Sequence, residues 1–115
     1  MATHIGTEWS ETTAGTNSGA TASHAAGASS GGSPARTHIV TSISGHVDAD
    51  SIVQILGGAA GATVVWESKI DISVEGISFN FPGLNVIGVP GIKVEGKIAS
   101  SSADCQVNVS GYSIP

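Results

Sequence analysis

The sequence predicts an all-β domain, an antiparallel β-sandwich, and three observations carry the prediction. Val and Ile supply 22 of residues 36–115, whereas Leu occurs only at Leu56 and Leu84; β-branched side chains are stiff at χ1 and suit a pleated surface better than a helix. Apolar and polar residues alternate there at period two, one face for a core and the other for water. Gly, Pro, Asp and Ser clusters punctuate these runs roughly every 8–12 residues, the spacing of a sandwich. Jelly-roll-like and immunoglobulin-like arrangements fit this pattern equally.

The chain opens differently. In TTAGTNSGATASHAAGASSGGSPA (12–35), 21 of 24 residues are Ala, Gly, Ser or Thr, and none is Leu, Ile, Val or aromatic. Ordering it costs about 24–48 kcal/mol at roughly 1–2 kcal/mol per residue, with almost no apolar area to offset that. Composition therefore reads residues 1–35 as an extended small-residue arm ahead of a β-sandwich domain at 36–115. Fully extended, the 24 residues reach on the order of 80 Å. Within THIGTEWSE (3–11), Ile5 and Trp9 are the large apolar residues of the arm, Met1 aside. Trp is enriched at binding hot spots, so Ile5 and Trp9 are the expected partner-binding anchors, with the small-residue stretch as their strap.

The domain then reads strand by strand. THIVTSISGHV (37–47) carries Ile39, Ile43 and Val47 at one parity, and SIVQIL (51–56) ends at the glycine turn GGAAGA. ATVVWESKIDISVE (62–75) sets Val64, Trp66, Ile70, Ile72 and Val74 against Glu67, Lys69, Asp71 and Glu75. ISFNF (77–81) continues with Ile77, Phe79 and Phe81 inward until Pro82-Gly83. NVIGVPG (85–91) suits an edge strand, because Pro90 cannot donate to a ladder. IKVEGKIA (92–99) and DCQVNVSGY (104–112) are a hairpin pair, with Ile92, Val94, Ile98, Cys105, Val107 and Val109 inward.

Charge and motifs narrow the function classes. The net charge is −5, and only Arg36, Lys69, Lys93 and Lys97 are basic, which disfavours binding to nucleic-acid phosphates. No run reaches the ~18 apolar residues of a membrane span, and MATHIGTEWSE shows no charged region followed by an apolar one, so no secretory signal is expected. A single cysteine, Cys105, excludes an intrachain disulfide framework.

His46, Asp48 and Asp50 share a parity and are metal-ligating types, yet Asp at a strand end more often serves turn chemistry; no metal is expected there. Gly57, Gly58 and Gly61 superficially resemble a phosphate loop, but no Lys-Ser/Thr follows and the next segment reads as strand, so a hairpin turn is favoured. Glu67, Lys69 and Asp71 read as an exposed strand face. Asn108-Val109-Ser110 matches a glycosylation acceptor, read as coincidence without an export signal. No serine stands in a nucleophile-elbow context. The expectation is a non-enzymatic chain with no cofactor.

Taken with the arm, the segments SPARTHIVTSISG (33–45) and GIKVEGKIASSSADCQVNVSGYSIP (91–115), with its closing V-x-V-S-G-Y, resemble the small virion proteins of tailed bacteriophages. The chain looks most like their capsid cement (decoration) proteins. That resemblance implies a compact β-domain, a trimer, a place on the capsid surface of the virion, and the major capsid protein of the same particle as partner. It implies no catalytic residues. A small core with two Leu and no disulfide also argues for a homo-oligomer. Two rivals remain: another structural component such as a head fibre, tail fibre or connector, and a carbohydrate-binding or adhesin module, which would place aromatic rings on an exposed platform.

Overall fold

The computed structural model describes residues 7–16, 18–25, 36–59, 61–75, 78–100 and 103–114. Among these residues nine strands are distributed over two sheets: β1 (Thr7–Gly15), β2 (Ala20–His24), β3 (Thr37–Val47), β4 (Ser51–Gly57), β5 (Thr63–Ile70), β6 (Ser78–Phe81), β7 (Val86–Ile87), β8 (Val94–Ala99) and β9 (Cys105–Ile114). One sheet runs β1-β9-β3-β6, with β7 also on β3; the other runs β2-β8-β4-β5. Every pairing is antiparallel. Every step along the chain but β4 to β5 and β6 to β7 crosses from one sheet to the other, and the orders β1-β9-β3-β6 and β2-β8-β4-β5 are the double Greek key of a jelly roll. The immunoglobulin-like alternative is thereby set aside.

The core lies where the inner faces meet. Val40, Ile43, Val47, Val107 and Val109 from the first sheet pack on Val53, Ile55, Val94 and Ile98 from the second, all essentially without solvent contact. Their interlock is visible in one pair of rows. Ala22, Gly96, Ile55 and Trp66 stand side by side in the second sheet, and Glu11, Val109, Ile43 and Phe81 do so in the first. Gly96 lies under the two bulkiest aliphatic members: a Cβ there would come 2.8 Å from Val109 Cβ and 3.0 Å from Ile43 Cδ1. A small residue opposite branched ones lets the sheets close to packed density.

Residues 7–24 do not form a separate arm. β1 pairs with β9 along nine residues, Thr7↔Ser113 to Gly15↔Cys105, and β2 pairs with β8 along five, Ala20↔Ile98 to His24↔Val94. The boundary expected at residue 35 therefore does not divide a tail from a domain; two of the strands lie before it. Ala22 is fully buried and Ala20 nearly so. Neighbouring Val and Ile side chains supply the apolar area that this segment lacks, which a residue-by-residue count of its own composition does not include.

Two other expectations shift through bulges. The β3–β9 register slips between Val40 and Ser42, so Thr41 is the extra residue and parity flips across it. Ile43 and Val47 face the core as expected, but Ile39 lies on the outer face, between Tyr112 and Ile87, and is buried there. The β4–β5 register slips between Ile55 and Leu56; Val64 then stands beside Leu56 on the outer face, 43 % exposed, while Trp66 stays inside. The strand read to residue 75 stops at Ile70, and a single helical turn follows at Ile72–Glu75. Asp71 sets that turn: its Oδ1 accepts from the Ser73 amide at 3.0 Å and the Ser73 hydroxyl at 2.7 Å. A capping carboxylate at the strand end redirects the chain.

The two ends of the sandwich differ. At one, loops are cross-linked by backbone bonds: Ser18 N–H to Ala103 O, Gly19 N–H to Ser100 O, and Asp48 N–H to Asp104 O. At the other lie Arg36, the β4–β5 turn and the 88–92 segment, where Gly88 N–H reaches His38 O and Gly91 N–H reaches Arg36 O.

Candidate binding site

The titratable and aromatic residues that gather in this fold do so beside β1 and β2. Alternation turns Trp9 and Glu11 of β1 inward, opposite Gly111 and Val109, and turns His24 of β2 inward, opposite Val94. His38 points inward from β3, beside Ser113 of β9. Gly111 leaves the space that the indole fills, since a Cβ at 111 would lie 3.1 Å from Trp9 Cζ2. The Trp9 and His24 rings stack at 4.2 Å and 7°, and His38 meets His24 edge-on at 4.5 Å.

Hydrogen bonds fix the protonation pattern. His38 Nε2 lies 2.7 Å from the Ala25 carbonyl, which can only accept, so Nε2 carries the proton. Nδ1, 2.6 Å from Ser113 Oγ, accepts from the serine hydroxyl. Burial pushes the His38 imidazole below the usual histidine range; the neighbouring His24 and Arg36 charges push the same way, against the Ala25 carbonyl. His24 Nδ1 donates to Glu11 Oε2 at 2.8 Å, a bridge from sheet to sheet. Trp9 Nε1 is the exception to this economy: among the described residues it is the one buried side-chain nitrogen or oxygen without a partner.

Serine hydroxyl, imidazole and carbonyl thus stand in the order of a nucleophilic relay. The pair is nevertheless almost wholly covered, with His38 2 % and Ser113 4 % exposed, and the little surface it keeps lies in the floor of a cleft. Its evident work is to tie β2, β3 and β9 together. Thr7, Glu8, Ala25 and Arg36 wall that open cleft, with Trp9, His24, His38 and Ser113 beneath.

The outer faces of the two sheets contrast in charge. Register places Ser10, Thr12, Asn108, Ser110, Ser42, Ser44, Asn80 and Ser78 on the outer face of the β1-β9-β3-β6 sheet, a field of hydroxyls and amides with Glu8 and His46 towards its margins. Thr12 Oγ1 donates to Asn108 Oδ1, and Ser42 and Ser110 share a hydrogen bond. Glu8, Ser10, Thr41, Ser110 and Tyr112, with Trp9 beneath, line an open depression of about 540 Å³ there. The opposite face carries Glu67, Lys69, Lys97 and Glu95, with Lys93 Nζ 3.4 Å from Glu95 Oε2.

Of the anchor pair, Ile5 lies outside the described residues. Trp9 is half-buried against its own domain, so its reading as a plug for another protein gives way to an internal role: the β1 register aims it between the sheets. His46 and Asp48 do not converge on a site with Asp50. Asp48 Oδ1 accepts from the Asp104 amide at 2.7 Å and Asp50 Oδ1 from the Ile72 amide at 3.1 Å, and no group of three metal-ligating side chains occurs among the described residues. Gly58 and Gly61 take left-handed backbone, φ 74° and 72°, in the β4–β5 turn. Burial pushes the Cys105 thiol up. No helix among the described residues is long and apolar enough to cross a membrane.

His24, His38 and Ser113 were not singled out by motif. Each lies in a different strand, and only the topology brings them together; the sole sequence hint is a histidine beside the apolar pair Ile39-Val40. No family model matches the chain, and neither does any curated protein or solved structure.

Proposed function

We propose that the chain is a structural virion protein: a jelly-roll domain that binds the outside of a phage shell, contacts its major capsid protein and stabilises it as a cement protein does. The observation that carries this reading is the uncharged hydroxyl-and-amide face of the β1-β9-β3-β6 sheet, set against a charged face on the other sheet. Centres of protein interfaces are depleted of charged side chains, and rows of hydroxyls suit a water-bridged contact. Jelly rolls build viral capsids and lectins alike, so architecture supports the reading by analogy only. Attachment runs through the folded domain, because the residues read as a strap include two of its strands.

The test is co-sedimentation with expanded shells of the parent particle. Ser44→Lys and Ser110→Lys, on the uncharged face, should abolish occupancy, while Thr21→Lys on the opposite face leaves it intact. Absence of binding by the unaltered chain, or equal loss from both faces, overturns the proposal. A carbohydrate-binding reading is favoured by one feature, the depression lined by Glu8, Ser10, Ser110 and Tyr112. Clear hits on a glycan array that Tyr112→Ala removes would replace the shell reading with that one.

A further inference from the structure

Five strands among the described residues border the sandwich, and they differ in what they present to another chain. β1 has Glu8 facing out and Glu11 facing in, with no basic residue; an inward charge blunts an edge against pairing. β2 is five residues long, β6 is four and is followed by Pro82, and β7 is two. β5 is eight residues, Thr63–Ile70, contains no proline, pairs with β4 alone, and past a bulge at Val65 runs in regular register from Trp66 to Ile70. Its other side therefore offers a row of backbone donors and acceptors.

β5 is also the border strand that carries both signs of charge. Glu67 and Lys69 are exposed, lie on the outer face and flank Ser68. A second β5 laid antiparallel with a two-fold axis at Ser68 brings Glu67 opposite Lys69 of the second copy, and the same contact repeats by symmetry. On the inner face Trp66 falls opposite Ile70 of the second copy, again twice. Opposite charges and large apolar residues are the favourable cross-strand pairs, and self-complementarity is what a two-fold interface needs. The β5–β6 border is closed only in part: Ser68, Ile70, Ser78 and Phe81 line a depression of about 230 Å³ between the sheets, and Trp66, edge-on to Phe81 at 5.1 Å, is only partly covered.

We propose that two copies of this chain pair along β5, joining their β2-β8-β4-β5 sheets into one eight-stranded sheet. A two-fold dimer replaces the trimer expected from the resemblance, and the pairing stands or falls independently of the shell reading.

Sedimentation of the full chain should give twice the chain mass. Glu67→Lys and Lys69→Glu each set like charges opposite one another twice and should raise the dimer dissociation constant about tenfold or more, with circular dichroism unchanged because both side chains are exposed. Combining Glu67→Lys with Lys69→Glu should restore it. Ser68→Cys, facing itself across the axis, should crosslink two copies on mild oxidation while buried Cys105 does not. A monomer at millimolar concentration, a trimer, or a dimer insensitive to either reversal overturns the proposal, as does failure of the double exchange to rescue.

Discussion

The sandwich has two long borders, and each holds one of its two tryptophans. Where β1 lies over β2, Trp9 stacks on His24, His38 closes the edge, and Glu11 bridges the sheets. Where β6 lies over β5, Trp66 meets Phe81 and Phe81 lies 6.0 Å from Phe79, without a titratable group in the aromatic set. One border is closed by hydrogen bonds among ionisable side chains on small-residue strands. The other is closed by apolar area on Val-, Ile- and Phe-bearing strands. The same topological task is met with different chemistry, so the two borders should respond to different perturbations.

Removal gives the largest contrast. Deleting residues 1–24 takes away β1 and β2, strips β9 and β8 of a partner strand each, and uncovers Gly96, Val94 and Val109. That loss is comparable with the ~5–15 kcal/mol that holds a domain together. The truncated chain should lack a cooperative thermal transition and show collapsed amide dispersion by NMR. A truncated chain that melts like the full one would mean that the first border is appended rather than structural, restoring the arm-and-domain division.

Much of the second border and little of the first was legible in the sequence. Trp66, Ile70, Phe79 and Phe81 announce themselves by alternation because each brings its own apolar area to the sheet it joins. Ala20 and Ala22 bring almost none; they are buried because Gly96 beside them and Ile43 and Val109 across the gap need small neighbours. Such dependence is a property of the partner strand, so it is silent in a local window. Parity failed at Ile39 and Val64 for a related reason. A bulge inserts one residue without altering composition, and every position beyond it changes face. The site cluster was the least legible part. Trp9 stood out by size, but His24, His38 and Ser113 acquire meaning only when three strands distant in sequence lie side by side.

Acid separates the borders next. His38 is buried and its folded pKa lies below the unfolded value of about 6.5. As pH falls past the unfolded value, the unfolded chain takes up a proton that the folded one refuses. Stability is then full above pH ~6.5 and declines until the folded pKa is passed, with a slope of up to about 1.4 kcal/mol per pH unit for one proton. His24 and Arg36 face the imidazole and add to the effect, while the Ala25 carbonyl opposes it. Between pH 7 and pH 5 the Trp9 indole signal should shift and broaden while that of Trp66 stays put, and His38→Gln should flatten the Trp9 response. Equal movement of both indoles would erase the distinction between the borders.

The smallest effect is the sharpest on chemistry. Phe in place of Trp removes ring area and an N–H donor together. At Trp66 only the area matters for closing the border, and at roughly 25 cal/mol per Å² its partial loss should cost about 1–2 kcal/mol. At Trp9 the deleted donor is the unpartnered one, and an unsatisfied buried donor costs about 1–3 kcal/mol. The two terms oppose, so Trp9→Phe should leave stability within about 1 kcal/mol of the parent, or raise it. Trp66→Phe should lower it, as urea midpoints at pH 7.5 would report. Were Trp9→Phe the more damaging substitution, the indole N–H would have to be contributing at that border rather than standing unpartnered.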